Sequence, residues 1–124
     1  MARIIAVCVG DVKGGAKRRV GQAQLAKNFG LSGDADVGPH GRQLALLDQA
    51  DFAARGEPAA AYGAGGENLV IEGLDLRQLK PGTKLRSGDA LMELVELLGP
   101  ERLLYRAKAL LAGIVTEGDQ IYVE

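Results

Sequence analysis

The chain has 124 residues, one domain's worth, and a chain of that length buries roughly 65% of the surface its unfolded form exposes. Fifteen Lys and Arg against 16 Asp and Glu leave a net charge of −1, which argues against a dedicated nucleic-acid binder with its strong basic excess. With 47% hydrophobic and 25% charged residues, the composition is that of a globular protein and not of a disordered one.

Cys8 is the one cysteine, so an intrachain disulfide is excluded and a reducing cytoplasm fits. Eighteen glycines beside only three Tyr and two Phe point to many tight turns and hence many short strands. The apolar run at residues 4–9 is too short for a secretory leader, and no run approaches the roughly 20 residues of a membrane span. A cytoplasmic protein without membrane or nucleic-acid partners is expected.

In chain order, residues 4–9 are β-branched-rich and end at Gly10-Asp11, which predicts a buried strand. A Lys/Gly turn and the basic cluster Lys17-Arg18-Arg19 follow, then a weak strand pattern at residues 20–25. Residues 28–41 carry four glycines, two aspartates, a proline and a histidine, a loop composition. Residues 43–47 read as a buried strand. Asp48 then caps a helix, with Asp51 in its first turn, Leu47 and Phe52 placed as a hydrophobic staple, Arg55 in the last turn and Gly56 just past the end. Residues 58–66 form a loop and 68–72 a strand closed by Gly73. Pro81-Gly82 makes a turn, 84–86 a strand, and Gly88-Asp89 another turn. Leu91, Leu94, Val95 and Leu98 fall at helical spacing with Glu93 and Glu96 opposite, so period alone predicts a helix over 91–98. Residues 100–108 read as a short helix with Pro100 in its first turn. Gly118-Asp119 turns into a closing strand at 120–123.

Local motifs for common cofactors fail on register. In the stretch from Gly10, Ala16 stands where a phosphate-binding loop needs lysine. The Gly63-Ala64-Gly65-Gly66 stretch has Asn68 where a dinucleotide turn needs a third glycine. Asp34-Ala35-Asp36-Val37-Gly38 opens like a calcium loop, but Ala45 occupies the place of its bidentate glutamate. One histidine, His40, and one cysteine cannot make a zinc site. A Cys8–His40 nucleophile pair exists on paper, against which a mid-strand cysteine reads as a small apolar residue.

Two segments together resemble a known family. They are Gly30-Leu31-Ser32-Gly33-Asp34-Ala35-Asp36 followed by residues 41–47, and residues 66–76 followed by Leu79, residues 82–86 and Gly88-Asp89-Ala90. In order and spacing they resemble the MOSC family, the domain at the C-terminus of molybdenum cofactor sulfurases, which includes small stand-alone bacterial members. The N-terminal strand, the Lys/Gly turn, Val20-Gly21 and the ending Gly118-Asp119-Gln120-Ile121 extend the resemblance over residues 3–124 as one domain.

The resemblance implies a mainly β fold, a twisted, barrel-like mixed sheet with a few short helices, and it places a strand over 91–98. That strand is the expectation adopted over the helical period. The resemblance also implies molybdenum cofactor (molybdopterin) chemistry, by binding the cofactor or by carrying sulfur as a cysteine persulfide. Where relatives carry the cysteine that ligates metal or sulfur, this chain has Glu101 or Arg102, neither of which forms a thiolate or persulfide. The surrounding loop is shortened by about a dozen residues. Asp36 stands where many relatives have histidine. Pyridoxal phosphate belongs to a separate domain of sulfurases and is not expected here.

A pterin phosphate needs anion donors, amide groups and close backbone approach. Arg42 suits the phosphate and Asn68 the pterin edge, with Asp34, His40, Gln43 and Glu67 in the same two loops. The bland alternatives are that Asp34 caps a turn, Glu67 and Asn68 stabilise a bend, and Arg42 pairs with a carboxylate. Three functional readings follow. One is a cofactor-binding or accessory module, without persulfide chemistry, that meets molybdoenzymes or cofactor-biosynthesis proteins. Another is a sulfur carrier or enzyme using Cys8. The third is a degenerate member acting as an interaction or homo-oligomerisation module through Leu103, Leu104, Leu110 and Leu111.

Overall fold

The computed structural model describes residues 1–39, 43–99 and 104–124. Strand β1 (Arg3–Val9) is apolar at nearly every position because both of its faces are covered. Ile4, Val7 and Val9 face one core, Ala6 and Cys8 another. Parity changes at Ile5, where pairing with β6 (Leu69–Glu72) steps from Ile4↔Ile71 to Ala6↔Val70, as a β-bulge does.

The main sheet also contains β2 (Arg18–Arg19), β5 (Leu44–Asp48), β7 (Lys84–Ser87), β8 (Ala90–Leu98), β9 (Leu104–Leu111) and β11 (Tyr122–Val123). Their spatial order is β11-β7-β8-β9-β5-β6-β1-β2. β5 and β6 are parallel and the other neighbours antiparallel. The parallel pair needs a crossover, which carries helix α1 (Gln49–Ala54) and a single 3-10 turn at Ala59–Ala61. The last segment ties the two ends of the sheet together. Gly118 donates to the Ile4 carbonyl at 2.7 Å and Ile121 to that of Ala2 at 3.1 Å, while β11 pairs with β7. The result is a strongly curled half-barrel of mixed strands with little helix, the fold class expected. A second sheet, β10 (Gly113–Thr116), β3 (Gln22–Ala26) and β4 (Gly30–Leu31), plugs the barrel with Val115, Leu25 and Leu31.

Helix α1 is as its sequence reads, except that Arg55 is its C-cap and not part of its last turn. The Asp48 Oδ1 accepts from the Ala50 N–H at 2.9 Å, Leu47 and Phe52 share one apolar cluster, and Gly56 takes the left-handed φ of +73° that ends it. Asp48 also holds the next crossover element, because its Oδ2 accepts from the Leu76 N–H at 3.1 Å.

Residues 91–98 lie within β8, and a bulge explains their helix-like spacing. Register runs Leu94↔Ala107 then Glu96↔Arg106, leaving Val95 as the extra residue. The helix expected over 100–108 is a correction: its described part is β9, paired with β5 on one side and β8 on the other. Good helix formers there lose to period-2 burial, with Tyr105, Ala107 and Ala109 inward and Arg106 and Lys108 outward. Pro100, Glu101, Arg102 and Leu103 lie outside the described residues. Of the apolar surface expected nearby, Leu104 is buried, Leu110 half-buried and Leu111 exposed. No helix among the described residues is long and apolar enough to cross a membrane.

Candidate functional site

Strand direction brings the polar loops to one rim. β5 and β6 begin there, β1 ends there, and β9 reaches it at residues 107–109, because Leu44 pairs with Ala107 and Leu69 with both Val7 and Leu46. The rim therefore collects residues 10–17, the 32–39 loop, Gln43 and Glu67-Asn68.

Behind the rim lies a buried polar cluster. The Lys17 ammonium sits 2.8 Å from an oxygen of Asp34 and 2.8 Å from one of Asp36, and all three side chains are essentially inaccessible. Among the described residues these two carboxylates share one ammonium, and backbone and amide donors add to their support. Gly10 N–H donates to Asp34 Oδ1 at 2.9 Å, Gly14 N–H to Asp36 Oδ1 at 3.0 Å, and Asn68 Nδ2 to Asp34 Oδ2 at 3.1 Å. The glycine loop that fails as a phosphate loop thus does aim N–H groups at anions, but the anions are the protein's own aspartates.

Asn68 joins three segments. Its Oδ1 accepts from Ala45 N–H at 3.0 Å, and its Nδ2 donates to the Cys8 carbonyl at 3.1 Å as well as to Asp34. Glu67 is fully buried and accepts from Gly63 N–H at 2.8 Å and Gly65 N–H at 3.1 Å. Gly63 is obligatory: its φ is +95°, and a Cβ there would stand 2.4 Å from the Lys17 carbonyl oxygen. Asp34, Glu67 and Asn68 are thus committed to bonds inside the protein.

Gln43 is placed differently. Its Oε1 accepts from Ala109 N–H at 2.9 Å and its Nε2 donates to Asn28 Oδ1 at 3.1 Å. Its backbone is pinned by Gly30, where a Cβ would come 2.5 Å from the Gln43 carbonyl. Together with Asn28, Pro39, Val95, Arg106, Ala107 and Lys108 it lines an open cleft of about 300 Å³. Arg106 and Lys108 reach back to Glu96 at 3.5 Å and Glu93 at 3.3 Å on β8. His40 and Arg42 lie outside the described residues; in sequence they fall between Pro39 and Gln43, which both line this cleft. A larger groove of about 360 Å³ between the chain termini is mostly apolar and contains none of the expected site residues.

The sequence reading missed Arg106 and Lys108 as site residues because it placed them in a helix. The signal that finds them is the strict alternation Tyr105-Arg106-Ala107-Lys108-Ala109. Lys17 stood out as part of a basic cluster, and Asp36 as part of a calcium-loop-like stretch and as a departure from relatives.

Cys8 is inaccessible in β1. Burial first, then the charges of Glu67 and Glu117, push its thiol up to about 12 from the usual 9.0, outweighing Arg19 and Lys17. It stays protonated at neutral pH and is a poor nucleophile. Native-state labelling with a thiol reagent is expected to run at least a hundredfold slower than in an unfolded control; equal rates would show that Cys8 is accessible. The linkage has a definite sign. The unfolded thiol loses its proton near pH 9 while the folded one keeps it, so this group's contribution makes stability fall as pH rises from 9 towards 12. Cys8→Ala should flatten that part of the pH–stability curve.

No protein-family model matches the chain, and no curated protein matches it. Solved structures do. YiiM from Geobacillus stearothermophilus superposes with a TM-score of 0.77 at 17% identity, over 100% of this chain and 75% of that one. YiiM from Escherichia coli gives 0.71 at 20% identity, over 100% of this chain and 70% of that one. YiiM is a MOSC-domain protein. The fold is MOSC-like. YuaD from Bacillus subtilis, at 0.73 and 15% identity, matches over 98% of this chain and 94% of its own length. On this MOSC-like barrel the Gln43 cleft opens at the rim where β5 begins and β9 passes, between the bulged strand β8 and the small sheet's Asn28 turn.

Proposed function

We propose that this chain is a MOSC-family protein that binds a molybdopterin-type pterin phosphate in the Gln43 cleft and serves molybdenum cofactor metabolism without persulfide chemistry of its own. The observation that carries the reading is the make-up of that cleft: an oriented amide, two cations and the apolar surfaces of Val95 and Pro39 in about 300 Å³, at the small end of the range for small-molecule sites. These residues fit the organic part of the cofactor. Gln43 and Asn28 offer donor and acceptor to a pterin edge, and Arg106 and Lys108 offer charge to a phosphate. Among the described residues the cleft offers no thiolate, imidazole or carboxylate to a metal, and the chain's one cysteine is buried in β1. The cofactor, if bound, would supply molybdenum held by its dithiolene sulfurs, and with it the redox and sulfur chemistry. The chain's own part is to bind, orient and deliver it, with a molybdoenzyme or a cofactor-biosynthesis protein as the partner in the cytoplasm.

Anaerobic calorimetric titration with molybdopterin tests this. Wild type is expected to bind, and Arg42→Ala to bind roughly ten- to a hundredfold more weakly at unchanged melting temperature, as for loss of a charge-assisted hydrogen bond. No binding by wild type at millimolar ligand would refute the reading and turn attention to the exposed Val95, Leu97, Leu111 and Ile114 as an interaction surface. Unfolding of Arg42→Ala would instead make Arg42 structural.

A further inference from the structure

We infer that Arg106 and Lys108 form the anion subsite of this cleft, and that they take a phosphate monoester by exchanging their β8 carboxylate partners for it. The inference rests on the reading of the cleft as a pterin-phosphate site and names the part of the ligand these two residues recognise.

Placement comes from register. Leu44 pairs with Ala107, so the next position along sets Gln43 opposite Lys108. Arg106 lies two residues away on the same outward face, roughly 6.6 Å along the strand, a span two long side chains close around one tetrahedral anion. Both cations line the cleft, whereas their partners Glu93 and Glu96 do not. Among the described residues the cleft wall therefore carries two positive charges and no carboxylate, in a chain whose net charge is −1.

The hold on these cations is loose. Arg106 has one contact to Glu96 at 3.5 Å, and Lys108 one to Glu93 at 3.3 Å, all with partly exposed side chains. Three other cations are held more firmly. Arg86 grips Glu124 with two nitrogens at 2.6 and 3.1 Å, Arg19 grips Glu117 at 2.8 and 2.9 Å, and Lys17 is buried between two aspartates. Arg77 is also loosely held, but its cleft contains Asp48 and Asp75, which repel an anion. Exposed pairs such as Arg106–Glu96 contribute little, while a phosphate monoester brings close to two negative charges near neutral pH and accepts in a fork geometry.

The rest of the cleft completes the subsite. The β8 bulge sets Val95 into its wall as an apolar shelf for the face of a flat ring. Gln43 is oriented by Ala109 and Asn28, and among the described residues its second Nε2 hydrogen has no acceptor, which leaves it for the edge of that ring.

The test uses the full chain and three probes: neopterin, neopterin monophosphate and inorganic phosphate. Wild type should bind the phosphate ester at least tenfold more tightly than the alcohol. In Arg106→Gln/Lys108→Gln that advantage should disappear while the affinity for neopterin stays unchanged. Glu96→Gln, which frees Arg106, should tighten the ester several-fold, a gain that a merely structural role for the pair does not produce. An ester advantage that survives in the double variant overturns the subsite and leaves the pterin reading standing. Inorganic phosphate binding that depends on Arg106 and Lys108, without binding of either pterin, supports the subsite and sinks the pterin reading. Failure of both phosphate probes to bind wild type overturns the subsite, whatever neopterin does.

Discussion

Replacing Lys17 with methionine is expected to destabilise the protein by about 3–5 kcal/mol, the usual cost of removing one partner from a buried ion pair. The side chains of Lys17 and Asp34 are fully buried and that of Asp36 nearly so, so solvent cannot replace the lost ammonium. Methionine fills most of the volume of the lysine stem, so the effect is one of charge and not of a cavity. Both carboxylates would lose the ammonium they share, and the donors they keep among the described residues, the N–H groups of Gly10 and Gly14 and the amide of Asn68, carry no formal charge. The melting temperature should fall by roughly 10–20 °C. Adding Asp34→Asn and Asp36→Asn to Lys17→Met should recover part of the loss, because the triple variant removes the two carboxylates along with the ammonium between them, although an amide at position 34 cannot accept at both of its atoms. Chemical denaturation of the three proteins decides the matter. A loss below 1 kcal/mol for Lys17→Met would mean that the cluster opens to water and that the rim is not tied together as described.

What could be read from the sequence divides by the range of the interaction that fixes it. The helix at Asp48 was legible because each determinant is local: the cap spans two residues, the staple from Leu47 to Phe52 five, and Gly56 ends it by its own φ. β1 and β6 were legible because a run of apolar β-branched residues suits a strand covered on both faces. β9 was not, because its residues prefer helix locally and become a strand only by pairing with β5, some 60 positions away, and with β8. The strand over 91–98 was legible through the family resemblance and not through period counting, which cannot see the bulge at Val95. The site shows the same division. Asp34, Glu67 and Asn68 stand out in the sequence as polar residues in glycine loops, but their burial depends on Lys17, 17 residues before Asp34, and on Cys8, 60 before Asn68. Gln43 reaches the cleft because Gly30 and Ala109 set its backbone and side chain.

Asn68→Ala should cost about 3 kcal/mol, which distinguishes a scaffold residue from a ligand contact. The side chain satisfies Ala45 N–H, the Cys8 carbonyl and one Asp34 oxygen, and each buried group left without a partner costs about 1–3 kcal/mol, less than additively where they share one cavity. The backbone of Asn68 also bridges β5 and β1, donating to Ala45 O at 2.8 Å and accepting from Cys8 N–H at 2.7 Å, and those bonds survive the substitution, so the fold should persist. Asn68→Asp keeps the shape but turns the Nδ2 donor into an oxygen facing the Cys8 carbonyl and the Asp34 carboxylate. It also sets a third carboxylate beside those of Asp34 and Asp36. At neutral pH it should therefore be at least as damaging as alanine. Its deficit should shrink as pH falls, because the introduced carboxyl, once protonated, regains a donor and sheds the charge. Melting curves for both variants between pH 5 and pH 8, beside the wild type, give the answer. If Asn68→Ala melts with the wild type but no longer binds a pterin, Asn68 is a ligand residue after all, and the cleft must extend inward from Gln43 to the start of β6.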